Sequence, residues 1–161
     1  MKYKLNIEIM TMYAASILIF RGVGTESFRL LLIGAVLIEL SGKDIERNKL
    51  PDELILVGCA VSLLRLFEGI SISELAAGII PAILLLALVL VYDFIGRRST
   101  MGGGDIKMIA MLGLNFGLYR NLIIILLAGI MFAAVYLLND RKEKMPFGPM
   151  LSVASWIAAF M

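Results

Sequence analysis

The chain contains no histidine, and that absence removes a large part of active-site chemistry. Triads with a His general base and the usual zinc constellations both need imidazole, so neither is available. The one cysteine, Cys59, lies in an apolar run, where alone it closes no internal disulfide and builds no multi-thiolate metal centre. Charge is scarce too: 17% of residues are Asp, Glu, Lys or Arg, against about 25% in soluble domains. The net charge of +2 is small and the basic residues are scattered, which argues against a nucleic-acid surface. Acid–base work near neutral pH is left to carboxylates, lysine and tyrosine.

Apolar length is what the chain has in abundance. Of its 161 residues, 60% are hydrophobic, too many for water and well suited to a bilayer. Apolar segments run over 5–20, 28–40, 54–67, 75–95, 106–118, 122–138 and 147–161. Several fall short of the roughly 20 residues that cross a hydrocarbon core of about 30 Å. Flanking polar residues are therefore assigned to the same helices: Ser27 and Ser41 extend the second, and Asp52 and Glu53 open the third. The expected fold is all-α, a polytopic membrane helical bundle of six to seven transmembrane helices forming one domain over 1–161. The first run follows Lys2 and Lys4 but ends Ile17-Leu18-Ile19-Phe20-Arg21, without a small-residue cleavage pattern, so it reads as a retained helix. Glycines inside the segments, among them Gly34, Gly58, Gly78 and Gly113, permit close helix approach where lipid offers no hydrophobic drive. The methionines and phenylalanines read as core and lipid contacts.

Seven spans can be oriented by their flanking charge. Lys2, Lys4, Lys43, Arg47, Lys49, Arg97, Arg98, Lys107, Arg141, Lys142 and Lys144 fall on one side, and only Arg21, Arg29, Arg65 and Arg120 on the other. The bias predicts a multi-pass plasma-membrane protein with a cytoplasmic amino terminus and an external carboxy terminus. A re-entrant segment after Asp105 would export Arg141, Lys142 and Lys144, so that segment is expected to cross.

On this reading Asp44 and Asp105 both lie at cytoplasmic helix ends. Asp105 stands in Met101-Gly102-Gly103-Gly104-Asp105-Ile106-Lys107, a carboxylate among three glycines at the mouth of an apolar segment. Charge beside lipid costs several kcal/mol on most scales, roughly 2.5–3.5 by insertion measurements, so such a residue points to function. Glycine lets a backbone approach closely or take positive φ, which suits a peptide lying along the loop. Two close carboxylates share a proton and titrate as a unit. The ionised one takes a proton from water while the protonated one donates to a scissile carbonyl, chemistry that needs no histidine, metal or cofactor. Each Asp alternatively caps a helix or faces solvent. A small transporter using the same carboxylates for proton coupling is the rival of another class. Phosphate binding at Gly102 to Gly104 is disfavoured, because Asp105 would repel an anion and no Gly-Lys-Ser/Thr follows.

Three motifs in order carry a specific resemblance. Asp44-Ile45-Glu46-Arg47-Asn48-Lys49-Leu50-Pro51-Asp52, then Gly102-Gly103-Gly104-Asp105-Ile106-Lys107, then Pro146-Phe147-Gly148-Pro149 resemble the motifs of the type IV prepilin and preflagellin peptidases, which are GxGD aspartic proteases of the membrane. The resemblance implies that Asp44 and Asp105 are the catalytic pair, with a prepilin-like membrane protein as substrate, cut at its short basic leader on the cytoplasmic face. Gly102, Gly103, Gly104, Lys107, Pro146 and Gly148 would then shape the loops that receive substrate. The family-like core covers about 28–161, and the helix at 5–20 precedes it. Longer family members carry a cytoplasmic insert with paired cysteines and also methylate the new amino terminus. Here Cys59 stands alone, which implies a short form acting as peptidase only.

Neighbouring charges have readings of their own. Lys107 either lowers the pKa of a nearby carboxylate and orients the loop or snorkels to headgroups. Asp52, just after Pro51, could join the carboxylate pair but reads better as a helix cap, and Glu53 fits the helix dipole. Glu39, read as buried, either modulates the pKa of Asp44 or hydrogen-bonds a neighbouring helix. Asp93 is spaced to pair with Arg97.

Overall fold

A computed structural model describes residues 2–22, 24–96, 101–138 and 145–161, the side chains of 2–7, 20 and 21 excepted. Arg97, Arg98, Arg141, Lys142 and Lys144, which enter the charge count, lie outside the described residues, as does the arginine of the expected Asp93–Arg97 pair. The described residues form an all-α bundle. After α1 (Lys2–Arg21), α2 (Thr25–Arg47) ends where Asn48 takes a left-handed φ of 49° and its N–H donates to the Asp44 carbonyl at 2.8 Å. Pro51 then starts a new direction, because the residue before a proline is forced out of the helical region. α3 (Asp52–Ser62) tightens into a 3₁₀ stretch, Leu63–Glu68, which stops at Gly69 with φ 83°. α4 (Ile72–Ala77) opens on a capping box in which Ser71 and Glu74 each accept from the other's backbone N–H. Then come α5 (Ile80–Gly96), α6 (Gly103–Phe116), α7 (Leu118–Leu138) and α8 (Gly148–Ala158).

The bundle closes around α6. Met108, Ile109, Met111 and Leu112 of that helix are fully buried, against Leu30, Ile33 and Leu40 of α2, Ile124 and Ala128 of α7, and Leu151 and Ala154 of α8. The outside is apolar instead: Leu84, Leu88, Phe94 and Ile95 on α5 and Leu126, Ile130, Leu137 and Leu138 on α7 are all exposed. Burying one such side chain is worth roughly 1.5–3 kcal/mol, so a surface of this kind calls for surroundings other than water.

Two helical stretches are long and apolar enough to cross a membrane, Ile72–Gly96 with 25 residues and Leu118–Leu138 with 21. They make the protein membrane-associated. The expected six to seven spans go further than these lengths. α6 has 14 residues and α8 has 11, rises of about 21 and 16 Å. α2 is long but carries Glu26, Arg29, Glu39, Lys43 and Asp44. Composition counted apolar residues; the folded chain interrupts them, as at Gly117, whose φ of 80° separates α6 from α7.

The predicted helix over 75–95 is likewise broken. It starts earlier, at Ile72, and turns at Gly78. A β-carbon on Gly78 would lie 2.0 Å from the Gly113 carbonyl oxygen, and one on Gly113 would lie 1.9 Å from that of Gly78. Only glycine allows this backbone approach. Asn121 seals it, its Nδ2 donating to the Gly78 carbonyl at 3.1 Å. α1 is fastened in the same manner: the Tyr13 ring lies over Gly34, and its hydroxyl donates to the Leu30 carbonyl at 2.9 Å.

Gly78→Ala or Gly113→Ala is therefore expected to cost about 1–3 kcal/mol, the usual range for overpacking. Thermal unfolding in detergent reads it as a lowered midpoint. Gly129→Ala, mid-helix with nothing within 4 Å of the new β-carbon, should not lower the midpoint and is expected to hold or raise it slightly.

Candidate active site

Asp44 lies in the last turn of α2 and is 5% exposed. Its Oδ2 accepts a hydrogen bond of 2.8 Å from the backbone N–H of Gly148, the first residue of α8. A β-carbon on Gly148 would come 2.8 Å from that oxygen, so a larger residue would press on the carboxylate. The turn carrying Gly148 is fixed from behind, where Phe147 packs edge-on against Phe132 of α7 with ring centroids 5.5 Å apart. One turn back on α2, the Ser41 hydroxyl is 2.6 Å from that of Ser152 on α8, and Ser152 is 3.0 Å from the Gly148 carbonyl. Pro146 is half-buried at the start of this turn.

Asp105 is half-buried in the first turn of α6. Both aspartates lie outside the apolar stretches of their helices. Burial pushes the Asp105 carboxyl up, and the charge of Asp44 pushes it further, to about 6. Burial also raises Asp44, opposed by the Gly148 N–H. The two groups thus share one electrostatic neighbourhood, and the hydrogen bond favours charge on Asp44 over charge on Asp105.

The glycines around Asp105 contribute close approach and not positive φ. Gly102 caps α6 with an extended conformation, and a β-carbon there would lie 3.2 Å from Asp105 Oδ2. Gly104 packs on Leu50, where a β-carbon would meet Leu50 Cβ at 3.1 Å, and Gly103 faces open space. Gly103 and Gly104 are already helical.

Two expectations are corrected. Glu39 is exposed, 3.7 Å from Lys43 one turn on, and is not among the groups that shift Asp44. Asp52 does not cap α3: Pro51 holds that position, without a side-chain cap. Its carboxylate instead takes Lys107 Nζ at 2.7 Å, both side chains being exposed. Lys107 thus joins the start of α6 to the start of α3. Glu53 sits in the first turn of α3, as the dipole argument requires. A further polar group escaped the sequence reading. Arg29, Arg65, Glu68 and Asn115 meet at the other end of the bundle. The signal was present, since Arg29 interrupts an apolar run between Phe28 and Leu30.

Comparison with known proteins gives this geometry a family. The model of the type IV leader peptidase family matches residues 31–138, two thirds of the chain, taking in Asp44 and Asp105 and ending before Pro146. A "Prepilin leader peptidase/N-methyltransferase" of Xanthomonas campestris is 30% identical over 165 residues, covering 96% of this chain and 57% of the relative. One of the same description from Pseudomonas putida is 30% identical, with coverages of 85% and 51%. Another from Aeromonas hydrophila is 32% identical, with coverages of 80% and 47%. The chain thus spans about half the length of the curated relatives it matches. No solved structure matches it. The family match extends over most of the bundle and includes both aspartates: the chain belongs to the type IV leader peptidase family.

Proposed function

We propose that this chain is a membrane-embedded aspartic endopeptidase that removes the short basic leader from type IV prepilin-like precursors at the cytoplasmic face, without N-methyltransferase activity. The observation that carries the reading is the unequal pair of carboxylates, Asp44 held by the Gly148 N–H and Asp105 raised to about 6 beside it. Asp44, the better anion, takes a proton from water as the water oxygen bonds the scissile carbonyl carbon. Asp105, in its protonated form, donates to the carbonyl oxygen. Collapse of the tetrahedral intermediate breaks the C–N bond: the departing amine takes the proton Asp44 received, and an intermediate hydroxyl returns its proton to Asp105 as the new carboxyl forms. The half-open first turn of α6 at Gly102 and Gly103 leaves room for an extended substrate backbone. Lys107 and Pro146 would border that substrate path.

Multi-pass topology belongs to the same proposal. α6 begins near Asp44 and ends where Arg29 Nη1 donates to the Asn115 carbonyl at 3.0 Å, which supports a crossing helix. α8 starts against Asp44, so α7 has returned to the first side. Lys43, Arg47, Lys49 and Lys107 then lie at the aspartate end and Arg29, Arg65 and Arg120 at the other, in keeping with a cytoplasmic active site and amino terminus. One domain over 1–161, with a family-like core of about 28–161, completes the reading.

Asp44→Asn and Asp105→Asn are each expected to reduce leader removal by a factor of about 10²–10⁴, the usual contribution of a general acid or base. Co-expression with a pilin-like precursor bearing a basic leader reads this as a lost mobility shift at unchanged membrane abundance. Full processing by either variant would remove that residue from the mechanism. Gly148→Ala should also slow processing, by displacing the Asp44 carboxylate.

The pH dependence has a defined sign. Because the Asp105 pKa is raised in the folded protein, its protonated form is favoured by folding. The associated stability is full below its ordinary value and is lost as pH rises through about 6. Asp105→Asn should therefore raise the unfolding midpoint relative to the parent at pH 8 and not at pH 4. In Asp44→Asn, carboxyl ¹³C shifts should show Asp105 titrating below about 6, yet still above its ordinary range because burial remains.

A further inference from the structure

At the end of the bundle away from the aspartates lies an open cavity of about 490 Å³, lined by Glu26, Arg29, Arg65, Glu68, Asn115 and Arg120 among others. Arg29 and Asp44 are fifteen residues apart on α2, about 22 Å along the axis, so this is a separate site. Arg29, 3% exposed, is locked: Nε meets Glu68 Oε1 at 2.8 Å, and Nη1 donates to both oxygens of Asn115. Arg65 is also buried and donates through Nη1 to the Leu114 carbonyl at 2.9 Å. Arg120 stands at the rim, 3.9 Å from Glu26. Three guanidinium groups thus face two carboxylates, and a guanidinium offers five donors in a fork that fits a phosphate.

The outer surface at the level of the cavity has a pattern of its own. Arg29, Glu68 and Arg120 are each preceded by an exposed aromatic residue, Phe28, Phe67 and Tyr119. Exposed aromatic side chains at the level of a charged recess mark where lipid headgroups meet hydrocarbon. The volume falls within the range of small-ligand pockets, roughly 300–1,000 Å³. We infer that the cavity of Arg29, Arg65 and Arg120 binds the phosphodiester headgroup of an anionic phospholipid, whose chains lie against Phe28, Phe67 and Tyr119. The surplus of one positive charge favours a net-anionic headgroup over a zwitterionic one. This site stands apart from the proposed peptidase chemistry, and its test does not read cleavage.

The full chain in neutral detergent is titrated with phosphatidylglycerol, phosphatidylcholine or inorganic phosphate, with occupancy followed by native mass spectrometry and stability by thermal unfolding. Phosphatidylglycerol is expected to bind at least tenfold more tightly than phosphatidylcholine and to raise the unfolding midpoint. Arg120→Gln, at the rim and outside the buried network, should weaken phosphatidylglycerol binding about tenfold, the loss of one charge-assisted contact. Glu26→Gln should tighten it, a result that a purely structural role for these residues does not produce. Equal binding of the two lipids overturns the inference, as does an unchanged affinity in Arg120→Gln. If inorganic phosphate alone reproduces the full stabilisation, the site belongs to a soluble anion and the lipid assignment fails.

Discussion

A charged group inside an apolar bundle must find its partner within the protein, and this constraint organises both ends of the molecule. Asp44 is buried where α2 ends, and the partner it finds is a backbone N–H from a residue 104 positions away. Arg29 is buried where α2 begins, and it closes on Asn115 and Glu68, 86 and 39 positions away. Leaving such a group unpaired costs about 1–3 kcal/mol, and more when it is charged. These long-range bonds therefore hold α2 to α8 at one end and to α6 and the 3₁₀ stretch at the other.

Between the two ends the structure relies on close approach. Gly78 against Gly113, the Tyr13 ring on Gly34 and Met111 against Gly58 bring helix axes together where side chains would hold them apart. Dispersion across such contacts replaces the hydrophobic drive that lipid cannot supply. α6 can then be short and buried along most of its length beyond Lys107, and its first turn carries Asp105 at the end where Asp44 is held. A packed bundle around a half-open first turn is the arrangement the proposed peptidase chemistry calls for, with its two carboxylates held and one face left open.

The carboxylates differ because their surroundings differ. A single N–H aimed at Asp44 offsets part of the cost of burial, while Asp105 has Asp44's charge added to that cost. Like groups in unlike settings titrate apart, which is the condition the proposed mechanism places on the two aspartates. Relatives in this family carry the description of a leader peptidase, and the proposed chemistry gives that description a physical form in this chain.

Much of this was legible without coordinates. The apolar segments, the break at Leu50-Pro51, the start of α3 at Asp52 and the three motifs around Asp44, Asp105 and Gly148 all follow from local rules, because helix periodicity, proline sterics and glycine spacing act within a few residues. Partner choice did not follow. Glu39 was read as buried beside Asp44 yet turns outward to Lys43, Asp52 was read as a cap yet meets Lys107, and Arg29 was counted only as a flanking charge although it anchors a polar network. Each of these depends on which helix faces which, and that is set by long-range packing. The amino-acid order by itself determined an all-α, membrane-associated chain with carboxylates at helix ends. Only the tertiary structure decided which backbone N–H holds Asp44 and which charges share a cavity, because such contacts form between residues that no local pattern brings together.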